Sequence, residues 1–246
     1  MSHSRPVEIV NMYESLPAQF KNPIVTYPNY KKMKIDIPCN IGVVAMTGAG
    51  KTNWTLQLIK LIGIFKKIYI FSASLEEPLY RYTIDYFAKL TKKLKLKEPI
   101  LYYSEDVSDI PTLDNLERCQ GQTLIIWDDL ITQRSAVLKQ VSEYFVRGRK
   151  LGLTNVFLSQ KYTAIPILIR AQFQYITLLK IGSKADVKRL LQEHNLGVDI
   201  DTLLTLYKQC TTQGMKTTFM IDLKTNDKDL RFRCNFQGIH LPSDED

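Results

Sequence analysis

The chain has 246 residues, 45% of them hydrophobic, which suffices for one domain with a real core and excludes the disordered and fibrous classes. Its 33 Lys and Arg stand against 25 Asp and Glu, and the formal charge of +8 makes a polyanion, nucleic acid above all, a plausible partner. Cys39, Cys119, Cys210 and Cys234 form no CxxC pair and nothing at the start resembles a signal peptide, so reduced intracellular thiols are expected.

In chain order, residues 1–36 come first, with Pro6, Pro17, Pro23 and Pro28 and no sustained period. They predict an N-terminal arm that wraps a surface, such as a neighbouring subunit. Residues 37–246 read as one domain. Short apolar runs predict buried strands at Ile41–Met46, Ile68–Phe71, Ile100–Tyr103, Thr123–Trp127, Asn155–Ser159 and Tyr175–Ile181. Helical periods fall between most of them, at Thr52–Ile64, Leu79–Leu94, Ser135–Lys150 and Ala185–Glu193. This alternation predicts an α/β fold with a mainly parallel sheet and helices on both faces. Asp201–Gln209 reads as a further helix. Within residues 213–246, Lys216–Leu223 and Leu230–Phe236 predict a hairpin across Asn226 and Asp227, followed by a mobile tail at Ser243–Asp246. Even Leu56–Ile70 is interrupted by Gln57, Lys60, Lys66 and Lys67, so no membrane-spanning segment is expected.

The segment Ala45, Met46, Thr47, Gly48, Ala49, Gly50, Lys51, Thr52 follows a predicted strand and opens a predicted helix, the setting of a Walker A phosphate loop. Ala45 replaces the usual first glycine. The demanding positions are Gly48 and Gly50, which let backbone N–H groups converge on phosphates at a helix N-terminus. Thr47 to Thr52 would therefore hold ATP, with Lys51 on the terminal phosphates and the Thr52 hydroxyl on Mg2+.

Thr123–Trp127 ends in Asp128 and Asp129, two carboxylates where a parallel sheet places a strand end beside the phosphate loop. Asp128 is the candidate magnesium ligand and Asp129 the candidate base for the attacking water. Neighbouring residues of a strand point to opposite sides, so the pair divides these roles only if the chain turns there. The plainer alternative is that Asp129 caps the next helix.

Further on stand Arg147, Gly148, Arg149, Lys150, Leu151 and Gly152, then Asn155–Ser159 ending at Gln160, then Tyr162, Pro166 and Arg170. This succession resembles the FtsK/HerA superfamily of DNA-pumping ATPases, and within it the genome-packaging ATPases of poxviruses, other large DNA viruses and virophages. The string RGRKLGLTNVFLSQ is most similar to the viral, virophage-type branch. The resemblance covers about residues 37–195 and implies a P-loop NTPase fold of the RecA-like, additional-strand class. It implies that Gln160 is a polar sensor on a strand between the loop strand and the acidic strand. It also implies that Arg149, or in its place Arg147, reaches into a neighbouring subunit's site. The implied protein is an ATPase that moves double-stranded DNA into a capsid. It would work as a homo-oligomeric ring (pentamer or hexamer) with a capsid protein as partner, in the host-cell cytoplasm at the virus factory or with the virion. Family members in cells usually carry Glu where this chain has Asp129, one methylene longer.

Lys89, Lys92, Lys93, Lys95 and Lys97 read as a solvated helix face, and Tyr80, Tyr82, Tyr86 and Phe87 as core and rim. His3, His194 and His240 have no ligand-spaced partner, so no metal beyond nucleotide-bound Mg2+ is expected. Arg231 and Arg233 on the hairpin could face DNA or a capsid partner. A small-molecule P-loop kinase is the competing reading, but its arginine-rich lid is not found. A nucleotide switch would lack the catalytic acid that Asp129 offers.

Overall fold

The computed structural model describes residues 11, 12, 14–17, 25–116, 119 and 121–241. The expected tail at Ser243–Asp246 and residues 1–10, 13 and 18–24 of the arm lie outside them. The strands are β1 (Asn40–Val44), β2 (Lys67–Ser72), β3 (Leu101–Ser104), β4 (Thr123–Asp128), β5 (Leu153–Ser159), β6 (Tyr175–Leu178), β7 (Phe219–Asp222), β8 (Phe232–Cys234) and β9 (Gln237–Gly238). They form one sheet in the order β3-β2-β4-β5-β1-β6-β7-β8-β9. Pairing is parallel from β3 to β6 and antiparallel from β6 onward. The hairpin expected near the C-terminus is β7 with β8, and β9 adds an edge strand that the sequence pattern did not single out. β5 lies between β1 and β4, the place that the resemblance implied for the strand before Gln160.

Alternate side chains of the central strands face two separate cores, as period-two geometry requires. Ile125, Trp127, Phe157, Ile176 and Leu178 face one side. There they meet α4 (Ser135–Arg147) through Val141, Tyr144 and Phe145, α6 (Lys184–Glu193) through Leu190, and α7 (Ile200–Cys210) through Leu203. Leu124, Ile126, Val156, Leu158, Ile41 and Val43 face the other side, where α2 (Lys51–Ile62) contributes Trp54, Leu58 and Ile62, and α3 (Pro78–Lys93) contributes Tyr80. The short helices α1 (Tyr30–Met33) and α5 (Ile167–Arg170) complete the set.

Two expectations are corrected. Residues 27–36, read as arm, are built into the second core: Tyr27, Met33 and Ile35 are buried there, beside Ile37, the first residue of the expected domain. From Met33 to Cys39 buried residues alternate with the less buried Lys34, Asp36 and Pro38, a period-two pattern that is cut by the boundary drawn at residue 36 and by Pro38. Arg233 does not face a partner. It is 1% exposed, pairs with Asp222, and donates to the carbonyls of Met33 at 2.8 Å and Lys34 at 3.1 Å, tying the hairpin to that same segment. A smaller difference is that α4 ends at Arg147 and tightens into a 3₁₀ turn, Gly148–Leu151.

Candidate nucleotide site

β1 ends at Val44 and the chain curls through the loop into α2. Gly48 has φ +72° and Gly50 φ +101°, left-handed values that a side chain would strain. Gly50 caps α2 without any side-chain acceptor, so the first N–H groups of this helix point into the loop and offer an anion site. Lys51 is buried beside them, and among the described residues its Nζ donates only to the loop's own Ala45 carbonyl, at 3.2 Å. The helix is held at its far end by Gly63, whose N–H bonds the Ile59 carbonyl, and by Trp54, Leu58 and Ile62 in the core.

Parallel pairing puts the ends of β2, β4 and β5 in line next to this loop. Ser72 is opposite Asp128, and Asp128 is opposite Leu158. Asp128 is buried, and its Oδ2 accepts hydrogen bonds from Tyr80 at 2.8 Å and, more weakly, from Ser72 at 3.4 Å. Burial pushes the Asp128 carboxyl up to about 6; the Tyr80 hydrogen bond opposes this, Asp129 adds to it and Lys51 opposes it. Burial also drives the Tyr80 phenol far up, so that it stays protonated and acts as donor. Asp129 has φ +51°, so the chain does turn between the two carboxylates, and its side chain makes no capping bond to the 3₁₀ turn that follows. The helix-cap alternative therefore fails.

A polar line crosses the mouth of the site. The Thr47 hydroxyl donates to Gln160 Oε1 at 2.9 Å, and Gln160 Nε2 donates to Asp129 Oδ2 at 2.8 Å. Asp129 Oδ1 is buried with no partner among the described residues, a carboxylate oxygen available to an incoming group. Thr52 donates to Glu77 Oε2 at 2.7 Å. The structure thus brings together Thr47, Lys51, Thr52, Asp128, Asp129 and Gln160. It does not bring Arg147 or Arg149 there. Both precede β5, at the opposite end of the strands from the loop, and β5 spans about 17 Å from Leu153 to Leu158 at the rise of an extended strand. Arg147 pairs with Asp114 at 2.9 Å, whereas Arg149 is exposed and makes no ion pair among the described residues.

Glu77, Tyr80 and Ser72 were not found from the sequence as site residues. Tyr80 was placed in the core by its spacing, which is correct for its ring but silent about its hydroxyl. Pro78 at the first position of α3 marks the helix start, yet nothing local shows that this start abuts β4.

A family model described as Poxvirus A32 protein matches residues 28–226. Comparison with curated proteins finds no match. Among solved structures, the chain is similar to the genome packaging NTPase B204 from Sulfolobus turreted icosahedral virus 2. With sulfate bound, that protein is 12% identical with a TM-score of 0.54, over 84% of this chain and 100% of that one. With ATP-gammaS bound, the values are 12% and 0.51, over 82% and 98%. B204, the DNA-packaging ATPase from Sulfolobus turreted icosahedral virus, is 13% identical with a TM-score of 0.52, over 82% and 98%. At these identities the likeness is one of fold.

Proposed function

We propose, from the premise that this chain belongs to the poxvirus A32 protein family, that it is an ATPase whose hydrolysis drives double-stranded viral DNA into a capsid. The observation that carries the chemistry is the line from Thr47 through Gln160 to Asp129 across the mouth of the phosphate loop. Packaging proteins of like fold that bind ATP-gammaS support the choice of ATP and of the work done with it.

The loop amides and Lys51 bind the phosphates. Asp129 takes a proton from the attacking water as its oxygen bonds to the γ-phosphorus and the bond to ADP breaks. Gln160 is the sensor, since it holds Asp129 by its amide N–H and Thr47 by its carbonyl and so links the loop to the base. The oxygen donors Thr52 and Asp128 fit Mg2+, which would be held there with the phosphates and would neutralise their charge. Arg149 serves a neighbouring subunit's site in a homo-oligomeric ring, a pentamer or hexamer. That assignment is supported by its exposure and its lack of ion pairs among the described residues, at the end of the strands away from its own loop.

Double-stranded DNA is held by its phosphates, as the charge of +8 favours. A capsid protein receives the motor, and the work takes place in the host-cell cytoplasm, at the virus factory, or on the virion. Among the described residues no helix is long and apolar enough to cross a membrane. The test is the ATPase rate with and without long duplex DNA. A motor is stimulated, and its DNA binding weakens steeply with salt. An assembled protein whose rate ignores DNA, or which transfers phosphate to a small acceptor, overturns this reading in favour of a kinase.

A further inference from the structure

Two side chains one helical turn apart, Glu77 at the cap of α3 and Tyr80 within it, each hold one of the two oxygen donors of the metal position. Glu77 lies on the connection from β2, the strand next to β4, so the sheet order brings it to the loop threonine although 25 residues separate the two in sequence. We propose that Glu77 and Tyr80 are positioning residues for nucleotide-bound Mg2+, acting through Thr52 and Asp128 and not as ligands themselves. This rests on the ATPase reading of the site.

The chemistry is that of a hydroxyl beside a cation. Thr52 can turn a lone pair toward a metal only if its single proton points elsewhere, and it needs an acceptor on that other side. Glu77 Oε2 is that acceptor, at 2.7 Å. A metal on the oxygen would make the O–H a stronger donor, so the bond to Glu77 and the bond to the metal reinforce each other. Tyr80 does the complementary work. Its ring is 1% exposed and its hydroxyl is fixed on Asp128 Oδ2, which leaves Oδ1 free of hydrogen bonds among the described residues. One oxygen of the carboxylate is thereby anchored and the other is open to the metal. Because both partners sit on the first turn of α3, any tilt of this helix would act on both donors at once.

Equilibrium binding of a fluorescent, non-hydrolysable ATP analogue to the full chain, titrated with Mg2+ and repeated in EDTA, tests the assignment without relying on turnover. Glu77→Ala should raise the half-saturating Mg2+ about 10- to 100-fold, the usual loss when an outer-shell partner is removed, and leave the affinity in EDTA unchanged. Glu77→Gln keeps an acceptor oxygen for Thr52 and should recover most of that loss. Tyr80→Phe should raise the Mg2+ requirement about 10-fold, at the low end of such effects, because Ser72 still contacts the carboxylate. Thermal unfolding of each variant checks the fold, and exposed Glu77 keeps the test usable if Tyr80→Phe unfolds. Wild-type Mg2+ dependence in both Glu77 variants overturns the proposal. So does Glu77→Gln as weak as Glu77→Ala, which would make the charge the agent, and so does an equal loss in EDTA. Wild-type protein that binds no analogue under either condition overturns the ATPase reading as well; intact wild-type binding with unaffected variants overturns this inference alone.

Discussion

At the N-terminal ends of β1 and β5, Asn40 and Asn155 sit opposite each other, buried, with their polar groups matched. Asn155 Nδ2 donates to Asn40 Oδ1 at 3.0 Å and to the Tyr144 carbonyl at 3.1 Å, while its Oδ1 accepts from Trp127 Nε1 at 3.3 Å. Asn40 Nδ2 donates to the Phe145 carbonyl at 2.8 Å and the Gln172 carbonyl at 3.2 Å. At the C-terminal ends of β4 and β5 the accounting is left open: Asp129 stands at φ +51° with a buried oxygen that has no partner among the described residues, and Asp128 is a carboxylate kept in a buried place. An unmatched polar group costs stability wherever it is buried. Neutral hydroxyls without a partner among the described residues occur elsewhere, at Thr154 and Thr177, but the carboxyl oxygen left unmatched stands beside the phosphate loop, where burial is costlier than for a hydroxyl, and this separates the end that holds the sheet together from the end that does chemistry.

The largest effect should come from the one group that crosses this division. Arg149 sits at the settled end but is itself exposed and without an ion pair among the described residues. If it completes a neighbour's site, Arg149→Ala loses about 10³- to 10⁵-fold in ATPase rate and still binds ATP. Mixed with Lys51→Ala subunits, which keep the finger and lack a working loop, it should regain part of the activity. Mixtures as inactive as the separate variants, with assembly intact, would place the finger elsewhere. Next, Asp129→Asn should keep nucleotide affinity and lose about 10²- to 10⁴-fold in turnover, as removal of a general base does. Lys51→Ala should instead lose most ATP binding, because it contacts ground-state phosphates. Equal losses of affinity in the two would erase the division of roles.

The settled end is probed by Asn155→Ala. It strands Trp127 Nε1 and Asn40 Oδ1 and should lower unfolding stability by about 3 kcal/mol, read from urea midpoints, while kcat per folded molecule holds. A fall in kcat at unchanged stability would reverse the assignment of the two ends. The smallest effect is expected for Arg147→Ala, whose ion pair with Asp114 is largely solvent-exposed. Stability should change by less than about 1 kcal/mol and ATPase activity should persist. Loss of activity there would make Arg147, not Arg149, the finger.

The alternation of apolar runs and helical periods sufficed for the parallel sheet and for helices on both faces, because the central strands β1, β4, β5 and β6 are buried along their whole length and the long helices between them bury one side. Thr47 to Thr52 were legible for a similar reason. A phosphate cradle must be made by consecutive backbone groups, so its residues are neighbours in sequence as well as in space. Asp128 and Asp129 were legible as the end of an apolar run. The burial of residues 27–36 was not: only Met33 and Ile35 of the alternating run Met33–Cys39 are apolar residues within them, and the surface they cover exists only once β1 and β6 are in place.

What the amino-acid order determined by itself, then, was everything whose geometry closes within one turn or one strand: the glycine positions, the lysine and the acidic pair, whereas Gln160, just after β5, was marked by the family resemblance alone. What only the tertiary structure decided were the pairings at long separation. The Thr52 hydroxyl reaches Glu77, 25 residues on, and Tyr80 reaches Asp128 across 48, because β2 was laid beside β4 and α3 was brought down on them. Asn40 finds Asn155 across 115 residues for the same reason. A side-chain hydrogen bond is satisfied over about 3 Å, and chain separation carries no information at that range until strand order and register have been set.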